Sequence, residues 1–517
     1  MTTLTIVTLS VIGVYLIITL VLGVIGWRRL QVNVEDFYVV SRSLGIFVLF
    51  LSISATYHSA FAVLTSTAVA VTQGVAWFVG AMSWTVLAGI CFWIFGMRYW
   101  HLGRKFGYIT MADLIADFYQ SNVLRGIVGV VMAVFTIPYI TVQAVAFGLF
   151  LEIGSDGFIS YNVGAFILTA VAVLYCIAAG QRAVSWTDVL QGVWMFVAVW
   201  VVSLVVVFSA MGGIGNLFAE VNRIAPELLR VPGEGWSHPL ALFSSLFLFS
   251  LGLMVTQQHI QMKFYSAMDV PTIKWSGVGT AIYLSAIYIP PVLTGLTVYV
   301  LIQRGDMPPI NEIVEAYGTA DAVLALVTSQ YAPALLVGIL FAGAIAAATS
   351  SKDNFLLATS VVLCRDIYQK LFKPNAGDRE IIFLSRVVIV IFGFLGWYLA
   401  VLRPGLIFDI VAVAVAGTMQ FIPAVVAVTF PTRKIWLTAA GAASGIVVGI
   451  VLLVLLFFRA NIGWEINLHN LHPGMWALFA NIIVGVIVSL FTAKPPQEAV
   501  DRIHGHLEEA IYKKNKL

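Results

Sequence analysis

Apolar runs of about twenty residues recur along most of this sequence, and each could cross the ~30 Å hydrocarbon core of a bilayer as a helix. Within lipid, only helices and closed barrels satisfy every backbone polar group. A barrel would instead show shorter segments of alternating polarity. Charged residues make up 10% of the chain, whereas soluble domains have about 25%. The sequence therefore predicts an all-α polytopic membrane protein.

Thirteen such runs can be delimited, and we number them spans 1 to 13 in chain order. Their predicted bounds are 4–27, 44–71, 75–98, 125–152, 162–180, 185–210, 240–262, 274–303, 332–368, 381–402, 405–430, 435–458 and 473–493. The amphipathic segment 111–119 and the polar segment 304–331 are expected to lie at the inner and outer surfaces, respectively. The tail after Lys494 is expected to form a helix on the cytoplasmic membrane surface.

Loop charges predict the orientation, because cytoplasmic loops of membrane proteins are enriched in Lys and Arg. With the N-terminus outside, nearly all basic loop residues fall on the inner side, Lys263 among them. The outer loops then hold only Arg223, Arg230, Arg304, Arg403 and Arg459. An odd number of spans places the C-terminus in the cytoplasm, and the expected location is the plasma (bacterial inner) membrane.

Composition also excludes several classes of function. The net charge is +3 and the basic residues are scattered, so no nucleic-acid partner is expected. A haem-binding redox subunit needs paired histidines on facing helices, yet only His58 and His259 fall clearly within spans. The three cysteines lie in apolar segments, which favours buried small hydrophobic residues over a disulfide or zinc site.

Polar residues at membrane depth are the candidates for function, because they are costly to bury in lipid. Polar clusters occur at 52–59 in span 2, at Asp188 in span 6, at 257–259 in span 7 and at 349–354 in span 9. Single Ser and Thr residues often bond only to their own helix. The run 349–354 includes adjacent Lys and Asp and cannot face lipid, so part of it must point into a polar cavity.

The helical periodicity of span 9 places part of this cluster on one face of the helix. Ala347, Ser350, Ser351 and Asn354 follow the spacing i, i+3, i+4, i+7 and share one stripe. Two adjacent hydroxyls suit a hard cation, which prefers oxygen ligands. Further ligands would be backbone carbonyls, which become free where a neighbouring helix is broken. Span 2 is the candidate for such a break, although it has neither Pro nor Gly there.

Two longer motifs extend beyond these clusters. Residues 181–188 (QRAVSWTD), followed by Gln191 and Gly192, are similar to the pattern G-x-R-A-V-x-W-T-D-x-x-Q-G. Residues 35–38 (EDFY) and 41–45 (SRSLG) resemble a stretch that precedes the second span in proteins with that pattern.

Two further motifs complete the resemblance. Residues 257–259 with Lys263 are similar to Q-P-H-x-x-x-R, with Gln for Pro and Lys for Arg. Residues 347–351 through 365–368 resemble a signature that ends in D-I-Y. Over nearly its whole length the chain thus resembles the solute:sodium symporters, which carry sugars, amino acids, vitamins, iodide and small organic acids.

The resemblance implies a fold of thirteen transmembrane helices with a five-helix inverted-repeat (5+5) transporter core, in which helices 2 and 7 are broken at the midplane. It divides the chain into an N-terminal extra helix and cytoplasmic loop (1–43), a first repeat of spans 2–6 (44–210), a second repeat of spans 7–11 (211–430), and spans 12–13 with the tail (431–517).

The resemblance also implies binding residues. The main Na⁺ site would use the carbonyls of Ala55, His58 and Ala347 and the hydroxyls of Ser350 and Ser351. A second cation position would involve Asp188, Ser350, Asp353 and Asn354, and Lys352 of this chain is a candidate coupling residue beside it. Solute would contact Thr56, Tyr57, Ser59, Gln143, Gln257, Gln258, Thr418 and Gln420. The expected partners are a small solute, a coupling cation and the lipid bilayer, and no other cofactor or enzymatic activity is expected.

Departures from the family pattern bear on the solute. Tyr57 stands where some amino-acid carriers have Asp, which disfavours a primary amine. The stretches 55–57 and 107–110 look more like members that carry pantothenate or short monocarboxylates. A small carboxylate is therefore the first expectation, with a sugar or an amino acid as alternatives.

Lys352 leaves two coupling schemes open, because an ammonium beside the serines would repel Na⁺. In the first scheme, Na⁺ binds at Ser350 and Ser351 while an ion pair with Asp188 or Asp353 holds Lys352 away. In the second, the Lys352 amine replaces sodium and its protonation is the coupled event. Sodium is favoured because both hydroxyls and Asp188 are retained.

Overall fold

The computed structural model describes residues 2–31, 33–233, 239–402, 407–432 and 434–513, and every regular element in these ranges is a helix. Arg403, one of the outer-loop charges, and the end of the tail at 514–517 lie outside the described residues. The all-α membrane fold predicted from the apolar runs is confirmed.

Ten spans are long, apolar helices that each could cross a bilayer. They are spans 1 (Thr3–Arg28), 3 (Val75–Phe106), 4 (Asn122–Gly154), 5 (Tyr161–Ala178), 6 (Gly180–Met211), 8 (Val270–Arg304), 9 (Ala334–Phe372), 10 (Asp378–Val401), 12 (Ala439–Phe457) and 13 (Pro473–Leu490).

The remaining spans are broken helices. Span 2 consists of Ile46–Tyr57 and Phe61–Gln73, bent by 62°. Span 11 consists of Ile410–Met419 and Ile422–Thr429, bent by 42°, a break that the sequence analysis did not anticipate. With each bent pair taken as one span the described residues contain twelve candidates. The predicted span 7 is a shorter apolar helix followed by the helix Gln258–Ser266. It is not among these twelve candidates, so the count of thirteen stays a prediction.

Short helices cover the two ends of the bundle. The helix Met111–Tyr119 is preceded by the N-cap residue Thr110, whose side chain accepts a hydrogen bond from the Asp113 amide. At the other end, Ile310–Tyr317 and Val323–Tyr331 occupy most of the predicted outer segment. The tail forms Gln497–Leu507.

The tail helix packs against the protein. Its Arg502 forms a 2.7 Å ion pair with Asp117 of the helix Met111–Tyr119. His504 Nε2 lies 3.1 Å from the Ala427 carbonyl at the end of span 11. The tail thus forms a helix that packs against the ends of spans 3 and 11, and its position on the cytoplasmic membrane surface stays a prediction.

The motifs at 35–38 and 181–188 contact each other. Asp36 is fully buried and is bonded by the Arg182 guanidinium. Burial alone would raise the pKa of the Asp36 carboxyl, but hydrogen bonds from Arg182 and the Gln31 amide outweigh it and lower that pKa. The pair joins the loop after span 1 to the start of span 6.

Gly180 makes this junction possible. Its backbone has φ 57° and ψ −145°, a region that is essentially restricted to glycine. A Cβ atom at this position would lie 2.6 Å from the Phe37 carbonyl oxygen. The turn from span 5 into span 6 therefore requires a residue without a side chain.

We expect Gly180→Ala to lower the free energy of unfolding by about 3 kcal/mol, because it adds backbone strain and a clash with Phe37. Gly107→Ala is the matched control: Gly107 also has a positive φ, of 72°, but open space surrounds its Cβ position, so the loss should be about 1 kcal/mol. Thermal unfolding in detergent would measure both, and equal losses would contradict this account of the turn.

Candidate functional site

The break in span 2 forms without Pro or Gly. The first helix ends at Tyr57, and His58 has an extended backbone with φ −91° and ψ 94°. The Ser54 carbonyl accepts from the His58 amide at 3.2 Å and lies 3.0 Å from His58 Nδ1. Because a carbonyl only accepts, Nδ1 carries the proton in this contact. The histidine thus terminates the helix with its own side chain.

Span 9 meets the carbonyls exposed by this break. Ser350 Oγ donates to the Ala55 carbonyl at 2.9 Å and lies 3.0 Å from the Ala347 carbonyl. Ser351 Oγ donates to the Thr56 carbonyl at 3.0 Å. All five residues are buried. The oxygens predicted from Ala55, Ala347, Ser350 and Ser351 therefore lie together, and His58 follows directly in the break.

This arrangement can hold a small cation. Each serine hydroxyl can rotate so that its lone pairs face the same point as the neighbouring carbonyl oxygens. The oxygens are uncharged and belong to buried residues, and they come from two different helices. A hard cation bound there would tie the broken span to span 9.

Asp188, predicted to belong to a second cation position, is neutralised by a residue that the prediction omitted. Lys263 Nζ lies 2.8 Å from Asp188 Oδ2, and both side chains are fully buried. Ser52 also donates to this carboxylate. Asn354 Nδ2 lies 3.3 Å from both Asp188 oxygens. Lys263, expected in an inner loop, is thus a core residue. The Q-P-H-x-x-x-R motif was the only sequence signal for it.

Lys352 and Asp353 lie apart from this pair, and neither expected ion pair of Lys352 forms among the described residues. Lys352 Nζ donates to Thr169 Oγ1 of span 5 at 2.6 Å. It also lies 5.3 Å from the centre of the Phe147 ring. Asp353 accepts from the Tyr175 hydroxyl.

Helical geometry explains this separation. At 100° per residue, positions 352 and 353 point roughly 110–150° away from the stripe of Ser350, Ser351 and Asn354. Of the predicted second position, Asp188, Ser350 and Asn354 are brought together, whereas Lys352 and Asp353 face spans 4 and 5. The expectation that an ion pair with Asp188 or Asp353 holds Lys352 is corrected: Thr169 holds it.

A small cavity of about 20 Å³ adjoins the break in span 2. Three predicted solute-binding residues line it: Thr56, Tyr57 and Ser59. Most of the remaining wall is aromatic and was not predicted; it comprises Phe61, Trp84, Tyr139, Phe249, Leu253, His259, Ile260, Tyr288, Phe355 and Val411. Aromatic residues in apolar spans carry no sequence signal that separates a cavity wall from ordinary packing.

The predicted glutamines divide into two groups. Gln143 Oε1 accepts from the Ala60 amide in the break at 3.2 Å, and Gln257 Nε2 donates to Thr418 Oγ1 at 2.6 Å. Gln258 instead bonds the main chain of Ile109 and Met111 at the inner surface.

Gln420, predicted to contact solute, lies outside the cavity wall as well. Its oxygens accept hydrogen bonds from Asn481 of span 13. Its Nε2 donates to the Ala416 carbonyl of its own span at 3.1 Å. The residues that line the cavity do not include Gln143, Gln257, Gln258, Thr418 or Gln420, and the role of these five side chains in solute binding stays a prediction.

Comparisons with known proteins agree with this architecture. The family model described as the sodium:solute symporter family matches residues 37–449. The chain is 29% identical to the high-affinity proline transporter PutP of Bacillus subtilis, over 94% of this chain and 98% of the relative. It is 24% identical to the sodium/pantothenate symporter of Escherichia coli, over 94% and 97%.

A solved structure matches the fold. It is a Na⁺-coupled sialic acid symporter in a substrate-bound outward-open state, at 17% identity and a TM-score of 0.79, covering 95% of this chain and 98% of that chain. This likeness confirms the expected transporter fold class.

The two buried lysines should differ sharply in their effect on stability. Lys263→Met leaves Asp188 as an uncompensated buried charge, and we expect it to lower the free energy of unfolding by about 3–5 kcal/mol. Lys352→Met, the matched control, removes a buried lysine bonded only to a hydroxyl, so a loss of about 1 kcal/mol is expected. Thermal unfolding in Na⁺-free buffer would compare them, and a larger loss for Lys352→Met would refute this assignment of charges.

Proposed function

Because the chain belongs to the sodium:solute symporter family, we propose that it imports a small carboxylate-bearing solute together with Na⁺. It is a multi-pass membrane transporter and not an enzyme, and the coupling ion of this family is Na⁺. The observation that carries the proposal is the contact of Ser350 and Ser351 with the free carbonyls at the break in span 2.

Na⁺ binds in this proposal between the broken span and span 9. Its ligands are the carbonyls of Ala55, His58 and Ala347 and the hydroxyls of Ser350 and Ser351. The two serine hydroxyls, which donate to span 2 carbonyls in the described state, turn their lone pairs to the ion. Lys352 does not compete, because Thr169 keeps its ammonium on the opposite face of span 9. This placement favours sodium over a proton-coupled scheme that uses Lys352.

The solute binds in the adjoining cavity. The helix Phe61–Gln73 begins at this cavity, and the N-terminal end of a helix attracts a carboxylate. Among the described residues, those that line the cavity include no acidic side chain that would repel an anion. Aromatic rings on the remaining sides can accept a secondary or quaternary ammonium by cation–π contact. Proline combines these two charges and is carried by the relative PutP, so it is the first compound to test, ahead of pantothenate and short monocarboxylates.

Transport requires the cavity to change size. A volume of about 20 Å³ is on the scale of one water molecule, so a solute enters only when the walls move apart. We infer that the two repeats, 44–210 and 211–430, rock against each other about the breaks in spans 2 and 7. The extra helix in 1–43 and the spans in 431–517 flank this core.

Orientation in a bacterial plasma membrane follows from the loop charges. Thr2 and Thr5 lie near Glu152 and Tyr317 at one end of the bundle, whereas Arg502 of the tail helix lies at the other end. The latter end carries the basic loops, so we place the C-terminus in the cytoplasm and the N-terminus outside.

The test of this function is uptake of labelled proline into proteoliposomes that contain the purified protein. An inward Na⁺ gradient should drive accumulation, and replacing Na⁺ by choline at constant pH should abolish it. Pantothenate, lactate and glucose as unlabelled competitors then rank the solute classes. Accumulation that persists without Na⁺ would refute sodium coupling, and competition by glucose alone would refute the carboxylate.

The serines should control the Na⁺ requirement. We expect Ser350→Ala and Ser351→Ala each to raise the Na⁺ concentration for half-maximal uptake at least about tenfold, which corresponds to about 1.4 kcal/mol of lost ion binding. Thr359→Ala is the control, because Thr359 is buried on the same span and bonds only its own helix, at Phe355. A Na⁺ requirement that stays unchanged in both serine variants would contradict the proposed ligands.

Lys352→Met should separate the two coupling schemes. With sodium as the driving ion, the variant keeps Na⁺-driven accumulation against a gradient, because the amine takes no part in the cycle. The proton scheme instead requires that accumulation is lost. Uptake driven by a Na⁺ gradient and by a pH step, compared in the same vesicles, gives the answer.

A further inference from the structure

Lys263 places a positive charge where two buried oxygens converge. Its Nζ lies 2.5 Å from Ser52 Oγ and 2.8 Å from Asp188 Oδ2. The three residues come from spans 7, 2 and 6, and each is fully buried. An ammonium therefore sits at the distances and in the kind of oxygen environment that a small monovalent cation would take.

This position lies close to the proposed Na⁺ site and is separate from it. Asn354 connects the two, because its amide donates to the Ser350 carbonyl at 2.7 Å and lies 3.3 Å from Asp188. The carboxylate and the ammonium cancel in charge, and the remaining partners are neutral. A free cation beside Asp188 would meet the ammonium at close range without net attraction.

We propose that Lys263 is a built-in cation that excludes a second Na⁺ from Asp188, so that each solute is carried with one Na⁺. The inference rests on the proposed function, since it concerns the number of Na⁺ ions that are carried with each solute. The same side chain ties the inner helix of span 7, Gln258–Ser266, to the inner helix of span 2, Ile46–Tyr57. A bound Na⁺ would leave this junction in each transport cycle, whereas the Lys263 ammonium remains there because it is part of the chain.

Removing the ammonium should admit a second ion. Lys263→Gln keeps a polar side chain of similar reach and leaves the Asp188 carboxylate free to bind Na⁺. The number of bound ions sets how steeply stability rises with ion concentration. At saturating Na⁺ without solute, we expect the slope of the unfolding temperature against log Na⁺ concentration to be about twofold larger in Lys263→Gln than in the wild type.

Two variants serve as controls. Lys263→Arg keeps the positive charge and should keep the wild-type slope. The double variant Asp188→Asn with Lys263→Gln has neither charge and should return to the wild-type slope. Measuring at saturating Na⁺ keeps Lys263→Gln in the folded state even where its stability in choline is poor.

The ion-to-solute ratio provides a second measurement. The reversal potential of uptake in wild-type proteoliposomes should correspond to one Na⁺ per solute, and a ratio of two would overturn the proposal. An unchanged slope in Lys263→Gln would overturn it as well. Failure of the proposed function would give a different result. The unfolding temperature of the wild type would then not depend on Na⁺ concentration, so its slope would be zero. A larger slope in Lys263→Gln would still show that Lys263 occupies the cation position beside Asp188.

Discussion

Breaking a helix inside a bilayer frees backbone groups that lipid cannot bond, and the rest of this structure depends on how those groups are satisfied. At the break in span 2, Gln143 accepts from the Ala60 amide and Ser59 Oγ accepts from the Phe61 amide. On the other side, Ser350 and Ser351 donate to freed carbonyls. Hydrogen bonds from spans 4 and 9 therefore stabilise the break.

The same requirement links structure to ion binding. In the proposed transport cycle, a cation replaces the two serine protons as the partner of the carbonyls, and the contact between spans 2 and 9 changes from two hydrogen bonds into shared coordination. Ion binding thereby alters the relative energy of arrangements in which these helices are close or apart, which is the condition for any ligand to shift a conformational equilibrium. The cavity that we propose for the solute shares Thr56 and Tyr57 with the break, so a solute bound there would act on the same equilibrium.

Sequence reasoning succeeded where periodicity alone decides geometry. Apolar runs defined the helices, and the phase of span 9 brought Ser350 and Ser351 to the break. It failed where long side chains choose between neighbours. Lys352 could reach several spans, and only the packed structure shows that it reaches Thr169. Lys263 follows an apolar run at its edge, where a loop lysine and a buried one look identical in sequence.

The break in span 11 illustrates the same limit. Pro423 stands at the start of the second helix, yet a proline within an apolar run also occurs in continuous kinked helices. What distinguishes the two cases is the partner of the freed groups, here Asn481 of span 13, which bonds the Gln420 carbonyl at 2.7 Å. That partner lies 61 residues away along the chain, and its contact follows from the packing of span 13 against span 11. Local patterns predict which segments are helices, and the long-range partners of unsatisfied backbone groups determine where those helices break.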